Sequence, residues 1–227
     1  MVINMFKYER DLQVEFKKML EKSMNQNEKI IEEFDARFGN VDLVKVCYNE
    51  LNSETEKEFK ILTNYANAIV VAFLHKKQKR SLKYLIEKTG YTYDYIKIVI
   101  NTLKSHKIID EISENCYIIN ESFKFPKLNF ISYELKLKDW QSAVLQAKKN
   151  EIFSYKSFVV MPEDIAIRIK EKHSEIFRLY NVGLIAVNNN KYKTIINCKK
   201  NNPKLNYNPS FISSIAKSII DLKNQTN

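Results

Sequence analysis

The stretch ISYELKLKDWQSAVLQAKKN, Ile131–Asn150, decides how the chain is read. It opens as a strand. Successive side chains of a strand point to opposite faces, so Ile131, Tyr133, Leu135 and Leu137 share one face and Ser132, Glu134 and Lys136 share the other. The apolar face belongs to a core, while the opposite face carries an acid and a base. Glu-x-Lys occurs three times, as Glu15-Phe-Lys17, Glu58-Phe-Lys60 and Glu134-Leu-Lys136. The first two copies lie in helical patterns, where residues two apart diverge. Only the third sets both charges on one face. From Trp140 the period changes: Trp140, Ala143, Val144 and Ala147 recur at helical spacing, with Gln141 and Gln146 on the flanks.

Working upstream, Met5–Met24 predicts an amphipathic helix with Leu12, Phe16, Met19 and Leu20 as its stripe. Ile30–Phe38 and Val41–Tyr48 predict two strands about a Gly39-Asn40 turn. Asp42 therefore sits where the second strand begins. Ser53-Glu-Thr-Glu56 has the form of a capping box, opening a helix that runs to about His75. The basic run KKQKR, Lys76–Arg80, interrupts it; most such runs are solvated loops. Ser81–Lys88, a turn at Thr89-Gly90-Tyr91, a helix from Thr92 to His106 with Thr92 as its N-cap, and a hairpin about Ser113-Glu-Asn115 follow. Pro126 marks a boundary.

Downstream lie a strand at Lys156–Met161 and a helix from Pro162, at its first position, to Tyr180. Strands at Gly183–Val187 and Tyr192–Cys198 and a helix at Pro209–Lys223 close the chain. With Ser53–Asn120 set aside, the order is that of an α/β domain carrying an insertion in one connection.

Composition narrows the chemistry. The chain has 227 residues, 44% of them hydrophobic, and a formal net charge of +10, a surplus that favours anionic partners such as nucleic acid. A genome rich in Lys, Asn and Ile codons would give the same surplus without a partner. The 3 cysteines and 3 histidines are scattered, which argues against a zinc site or a disulfide framework. No signal-peptide h-region opens the sequence, and its most apolar run, Ala66–Leu74, is short of the roughly 20 residues that span a bilayer. A cytoplasmic protein with no membrane partner is expected. With no GxSxG and only 3 glycines, neither a serine hydrolase nor a P-loop is written here.

The segments GNVDLV (Gly39–Val44), YELK (Tyr133–Lys136), DWQSAVLQA (Asp139–Ala147) and SYKSFVVMP (Ser154–Pro162) together resemble the PD-(D/E)xK nuclease superfamily. SLKYLIEKTGYTYDYIKIVINTLKSHKII (Ser81–Ile109) resembles winged-helix DNA-binding domains. The resemblance implies an α/β (α+β) fold: a restriction-endonuclease-like core with a central mixed sheet flanked by helices, plus an inserted winged helix-turn-helix. Residues 1–52 and 121–227 would form the discontinuous nuclease domain and 53–120 the insertion. Two features depart from the family pattern: Val41, not Pro, precedes Asp42, and the connection from Asp42 to Glu134 is unusually long.

The resemblance further implies a Mg²⁺ or Mn²⁺ ion held by Asp42, Glu134, the backbone carbonyl of Leu135 and Glu9, with Glu15 the rival of Glu9. Lys136 would orient or deprotonate the attacking water, and Gln146, with Gln141 as rival, would orient substrate or water. Hard oxygen ligands and a neighbouring cation are what phosphodiester hydrolysis requires, since charge grows on the phosphoryl oxygens. On the winged helix, Tyr93, Lys97, Asn101 and Lys104 would face DNA, with Lys79 and Arg80 nearby. The expected activity is metal-dependent cleavage of DNA, with RNA open as substrate and a homodimer open as assembly. Two other readings stand beside it: a non-catalytic DNA-binding regulator, and an interaction protein of a mobile-element or defence system.

Overall fold

The computed structural model describes residues 6–36, 39–48, 53–74, 77–124, 128–203 and 209–224. His75, Lys76, Pro126 and the side chains of the Ser53–Glu56 capping box lie outside the described residues. The chain divides into two compact units, one made of Met1–Asn49 and Leu128–Pro203, the other of Glu50–Lys127 and Lys204–Asn227.

The first unit is α/β, built on a mixed six-stranded sheet flanked by helices. Its elements are α1 (Glu9–Glu21), β1 (Glu28–Asp35), β2 (Asn40–Tyr48), and, after the second unit, β6 (Leu128–Leu135), α6 (Trp140–Lys149), β7 (Lys156–Pro162), α7 (Glu163–Tyr180), β8 (Gly183–Val187) and β9 (Tyr192–Ile196). The strand order is β1-β2-β6-β7-β8-β9. β2 runs antiparallel to both β1 and β6, β6, β7 and β8 run parallel, and β9 closes antiparallel. The parallel steps are those bridged by helices, as crossover connections require.

Each face of the sheet is covered. Leu12, Phe16 and Leu20 of α1 pack on Leu43, Tyr133 and Leu135. Phe16 meets Tyr133 edge-on at 5.2 Å, a favourable aromatic geometry. On the opposite face Ala143, Val144 and Ala147 of α6 and Ala166 and Phe177 of α7 pack on Val159, Met161 and Leu184. Next to them Phe34, Phe130 and Phe153 form an aromatic cluster with centroids 5.4 to 6.0 Å apart. Gly183 is required where β8 approaches β7, since a Cβ there would lie 2.3 Å from the Phe158 ring.

The second unit holds α2 (Ser53–Leu62), α3 (Tyr65–Phe73), β3 (Arg80–Ser81), α4 (Leu82–Thr89), α5 (Tyr93–Ser105), β4 (Ile109–Ser113), β5 (Cys116–Ile119) and α8 (Pro209–Asn224). β3, β5 and β4 form a small antiparallel sheet. Ser81 caps α4 by accepting from the Tyr84 N–H at 3.2 Å, and Gly90 ends it at φ 70°, a left-handed conformation that suits glycine. Thr92 caps α5 as expected, accepting from the Tyr95 N–H at 3.4 Å. Ile96, Val99, Ile100 and Leu103 are buried beneath α5.

Several boundaries move for identifiable reasons. α1 begins at Glu9 rather than Met5, where the Asp11 carboxylate accepts from the Tyr8 N–H at 2.9 Å. The single helix expected up to His75 is two, because Asn64 opens α3 by accepting from the Ala66 N–H at 2.8 Å. Pro162 is the N-cap of α7 rather than its first residue, with an extended ψ of 142°. Part of the basic run is structured, since Arg80 pairs with Tyr117 in the small sheet. The last helix does not belong with the sheet. Ile212, Ile215, Ala216 and Ile219 of α8 are buried in the second unit, where the Ser213 hydroxyl donates to the Thr63 carbonyl at 2.9 Å. Its apolar face thus joins α2 and α3, and the expected 121–227 segment is divided near residue 204.

Candidate active site and nucleic-acid interface

Asp42 lies on the second strand of a hairpin whose register runs from Glu28 opposite Cys47 to Asp35 opposite Asn40. The pairs Glu32–Leu43 and Phe34–Val41 place Glu33 across from Asp42. Glu33 itself has φ 48°, a left-handed conformation that interrupts the ladder at this point and leaves its side chain exposed. On the other side Leu43 pairs with Tyr133, so Asp42 lies across from Glu134. Three carboxylates therefore line up across β1, β2 and β6.

The backbone N–H of Leu135 donates to Asp42 Oδ2 at 2.6 Å. Gln13, buried on α1, donates its side-chain N–H to the Asp42 carbonyl at 3.1 Å. Burial pushes the Asp42 carboxyl up despite the Leu135 bond and the nearby Lys136 charge; Glu33 and Glu9 add to the upward push.

Glu134 is only 3% exposed. An unpaired buried carboxylate is costly, and the group responds by holding its proton. Burial and the charge of Asp42 push its carboxyl up to about 8, against the opposing hydrogen bond from Asn150 and the charge of Lys136. Asn150 Nδ2 donates to Glu134 Oε1 at 2.7 Å. Asn150 is itself buried where α6 ends, beside a cluster of the buried hydroxyls Ser132, Ser154 and Ser157, which bond one another at 2.6 to 3.1 Å.

Lys136 lies one residue past the end of β6, its N–H bonded to the Val160 carbonyl at 3.2 Å. Its ammonium donates to Glu9 Oε2 at 2.9 Å. Burial pulls the ammonium down, but the Glu9 hydrogen bond and the charges of Asp42, Glu9 and Glu134 outweigh it, and the net direction is up. Lys136 is accordingly a fixed cation. Glu15 turns away to Lys18 at 2.8 Å, so Glu9 is the acid of α1 that reaches the group.

A cavity of about 100 Å³ is bordered by Asn40 and Val41 of β2, Glu134 of β6 and Gln146, Lys149 and Asn150 of α6. Gln146 thus stands beside Glu134, while Gln141 is not part of that wall. Asp42 uses Oδ2 and Glu134 uses Oε1 in the bonds above, and the other oxygen of each has no hydrogen bond among the described residues. Among the described residues no three His, Cys, Asp or Glu side chains converge as a metal cage. Two hard carboxylates are nevertheless a donor set that suits Mg²⁺, which takes one or two carboxylates and keeps several waters.

In the second unit, Tyr93 is 56% exposed at the start of α5, and Asn101 is exposed further along it. Lys97 is half-buried and Lys104 exposed on α5, and both make polar contacts within the unit. Lys97 donates to Asn115 Oδ1 at 2.8 Å, and Lys104 is paired with Glu111, whose carboxyl is held down by that bond. Lys79 is exposed. Arg80 lies 4.6 Å from the Tyr84 ring centroid, its Nε buried without a hydrogen-bond partner among the described residues.

Sequence reasoning missed Gln13, Glu33, Lys149 and Asn150. Gln13 and Asn150 each lie four residues after a chosen residue, Glu9 and Gln146, and so share its helical face. Glu33 follows only from the observed register, because a two-residue Gly39-Asn40 turn would have set position 37 across from Asp42.

Comparison with known proteins finds no matching family model, no matching curated protein and no matching solved structure. Among the described residues no helix is long and apolar enough to cross a membrane.

Proposed function

We propose that this chain is a metal-dependent nuclease of the PD-(D/E)xK type that acts on DNA or RNA. The observation that carries the proposal is the Leu135–Asp42 hydrogen bond, which gathers Asp42, buried Glu134 and Lys136 at the end of one strand. In an extended strand the N–H and C=O of one residue point to the same side. The Leu135 carbonyl is thereby directed toward Asp42 as well. Asp42, Glu134 and that carbonyl would hold Mg²⁺ or Mn²⁺, with Glu9 at the edge of the set. Such an ion supplies charge neutralisation at the phosphoryl oxygens and a more acidic bound water.

The chain's own residues do the rest. Lys136, a persistent cation, stabilises charge developing on the scissile phosphate and orients the attacking water. Asn150 holds the Glu134 carboxyl at one oxygen, leaving the other for a ligand. Gln146 and Lys149 border the same cavity and position water or a phosphate oxygen. The element order α1-β1-β2-β6-α6-β7, three antiparallel strands followed by a parallel one, supports the restriction-endonuclease-like reading. The order α3-β3-α4-α5-β4-β5 supports reading the second unit as a winged helix that contributes nucleic-acid binding. The net charge of +10 accords with a phosphate-backbone partner.

The non-catalytic regulator is favoured by a specific observation: the Lys136–Glu9 ion pair satisfies the lysine without a substrate. One assay separates the two. Plasmid, linear and single-stranded DNA and RNA are incubated with Mg²⁺ or Mn²⁺ and either the wild type or a Glu134→Ala/Lys136→Ala double variant. Metal-dependent cutting that the double variant lacks supports the nuclease. No cutting of any substrate, with salt-sensitive DNA binding intact, sinks it and leaves the regulator.

A further inference from the structure

A second cavity, of about 540 Å³, lies wholly within the second unit, within the size range of small-molecule sites. Leu82 and Ile86 of α4 give it an apolar wall, Tyr93 gives it an aromatic one, and Glu87, Glu114 and Asn115 border it with polar groups. Nothing in the proposed cleavage chemistry uses these residues.

The cavity is preformed. Asn115, in the β4–β5 turn at φ 55°, is pinned three ways: its carbonyl accepts from the Leu82 N–H at 2.8 Å, its N–H donates to Glu111 Oε1 at 3.0 Å, and its Oδ1 accepts from Lys97 at 2.8 Å. The turn is thereby tied to both helices. The same Lys97 ammonium lies 5.6 Å from the Tyr93 ring centroid, so the exposed ring has a cation over it.

The wall selects its occupant. A phosphate would meet the two carboxylates of Glu87 and Glu114 against the single ammonium of Lys83, which also borders the cavity. An aliphatic side chain would desolvate those carboxylates and the Asn115 amide with no return. A nucleobase suits both the aromatic and the acidic walls: its face stacks on Tyr93, and an exocyclic amino group donates to a carboxylate, as cytosine N4 does to acidic side chains. A base inside a duplex is stacked and paired and cannot enter, so the strand must be single or opened. Thymine and uracil carry no exocyclic amino group; their one donor on that edge, the imide N3–H, lies between two carbonyl oxygens that repel the acids.

We propose that the cavity between α4, the first turn of α5 and the β4–β5 turn receives one unstacked, amino-bearing base (cytosine, adenine or guanine) of a single-stranded nucleic acid, stacked on Tyr93. The proposal rests on the nucleic-acid reading above and names its substrate class; it does not depend on cleavage.

The test is fluorescence anisotropy of the full chain in EDTA with labelled dC, dA and dT 12-mers, an rC 12-mer and a duplex of the same length. dC and dA bind about ten-fold more tightly than dT, and Tyr93→Ala removes about that much from dC binding while Tyr93→Phe retains it. Glu87→Gln/Glu114→Gln narrows the gap between dC and dT. The rC arm tells whether the strand is DNA or RNA. Equal binding of dC and dT, or dC binding indifferent to Tyr93→Ala, overturns the pocket. Plasmid cleavage by the same variants separates the two readings. Cleavage intact with no base preference sinks the pocket alone, whereas neither cleavage nor binding of any oligonucleotide sinks the nuclease as well.

Discussion

The Leu135 N–H and the Asp42 carboxylate, 93 residues apart in sequence, meet at 2.6 Å. The contact closes the end of the β2–β6 ladder with a side chain where a backbone carbonyl would otherwise stand. It therefore has two consequences that substitutions can separate, one for folding and one for charge.

Asp42→Asn keeps an oxygen that accepts from Leu135 but removes the charge. The variant folds with nearly wild-type stability and loses metal-dependent cleavage by about a hundred-fold or more. Asp42→Ala leaves a part-buried N–H without its partner and costs about 1–3 kcal/mol as well. Urea unfolding of both variants beside a cleavage assay reads the two effects. Comparable destabilisation by Asn and Ala would show that the charge, not the acceptor, holds the strand end.

Glu134 gives the pH dependence. Its carboxyl, near 4.5 when unfolded, is pushed up to about 8 in the folded chain. Between these values the native state binds more protons than the unfolded state, so stability falls as pH rises through that window. Glu134→Gln removes the slope. Its advantage over the wild type grows between about pH 5 and pH 8, by an amount on the order of a few kcal/mol. Thermal melts across this range check it, and parallel curves for the two proteins would refute it.

The order of strands and helices in the first unit was legible because two apolar runs flank Gly39 and the period changes from two to helical spacing at Trp140, although Asn40 opens β2 and pairs with Asp35 where a two-residue turn was expected. The helix break at Asn64 was hidden because Phe59, Leu62, Ala66 and Val70 continue a helical stripe across it; only the local Asn64 cap ends one helix and starts another. The allegiance of α8 was not legible, since an apolar stripe states that a helix is buried and not against what. At the site, types and spacing pointed to Asp42, Glu134 and Lys136, but the burial of Glu134 depends on how α6 lies over β6. Asn150 becomes visible only with that packing.

Lys136→Ala removes the cation nearest the carboxylates and leaves Glu9 unpaired on a half-exposed position. Cleavage falls by about a hundred-fold or more while DNA affinity, set by many dispersed lysines and arginines, changes by no more than a few-fold. Gel shifts beside the cleavage assay decide it. Equal loss of binding and cutting would make Lys136 a phosphate contact.

Asn150→Ala deletes the one hydrogen bond among the described residues that favours ionised Glu134. The Glu134 carboxyl then rises further, and the rising limb of the cleavage pH profile moves to higher pH. A loss of activity with an unmoved profile would mean that Asn150 only fills space.

Metal binding should itself depend on the Glu134 proton. An ion at this site requires the carboxylate, so below a pKa of about 8 protons compete with it, and apparent affinity weakens up to about ten-fold for each unit of pH. A ligand that binds only the folded chain raises its stability by RT ln(1 + [L]/Kd), so the same Mg²⁺ concentration raises Tm more at about pH 8.5 than at about pH 6. The increment follows the proton and not ionic strength, which matched Na⁺ controls. Asp42→Asn, which retains the Leu135 bond but removes a ligand charge, abolishes it at both pH values. A Tm increase of equal size at both pH values, or one that survives Asp42→Asn, would place the ion elsewhere on the surface and remove the chemical basis for cleavage at Glu134.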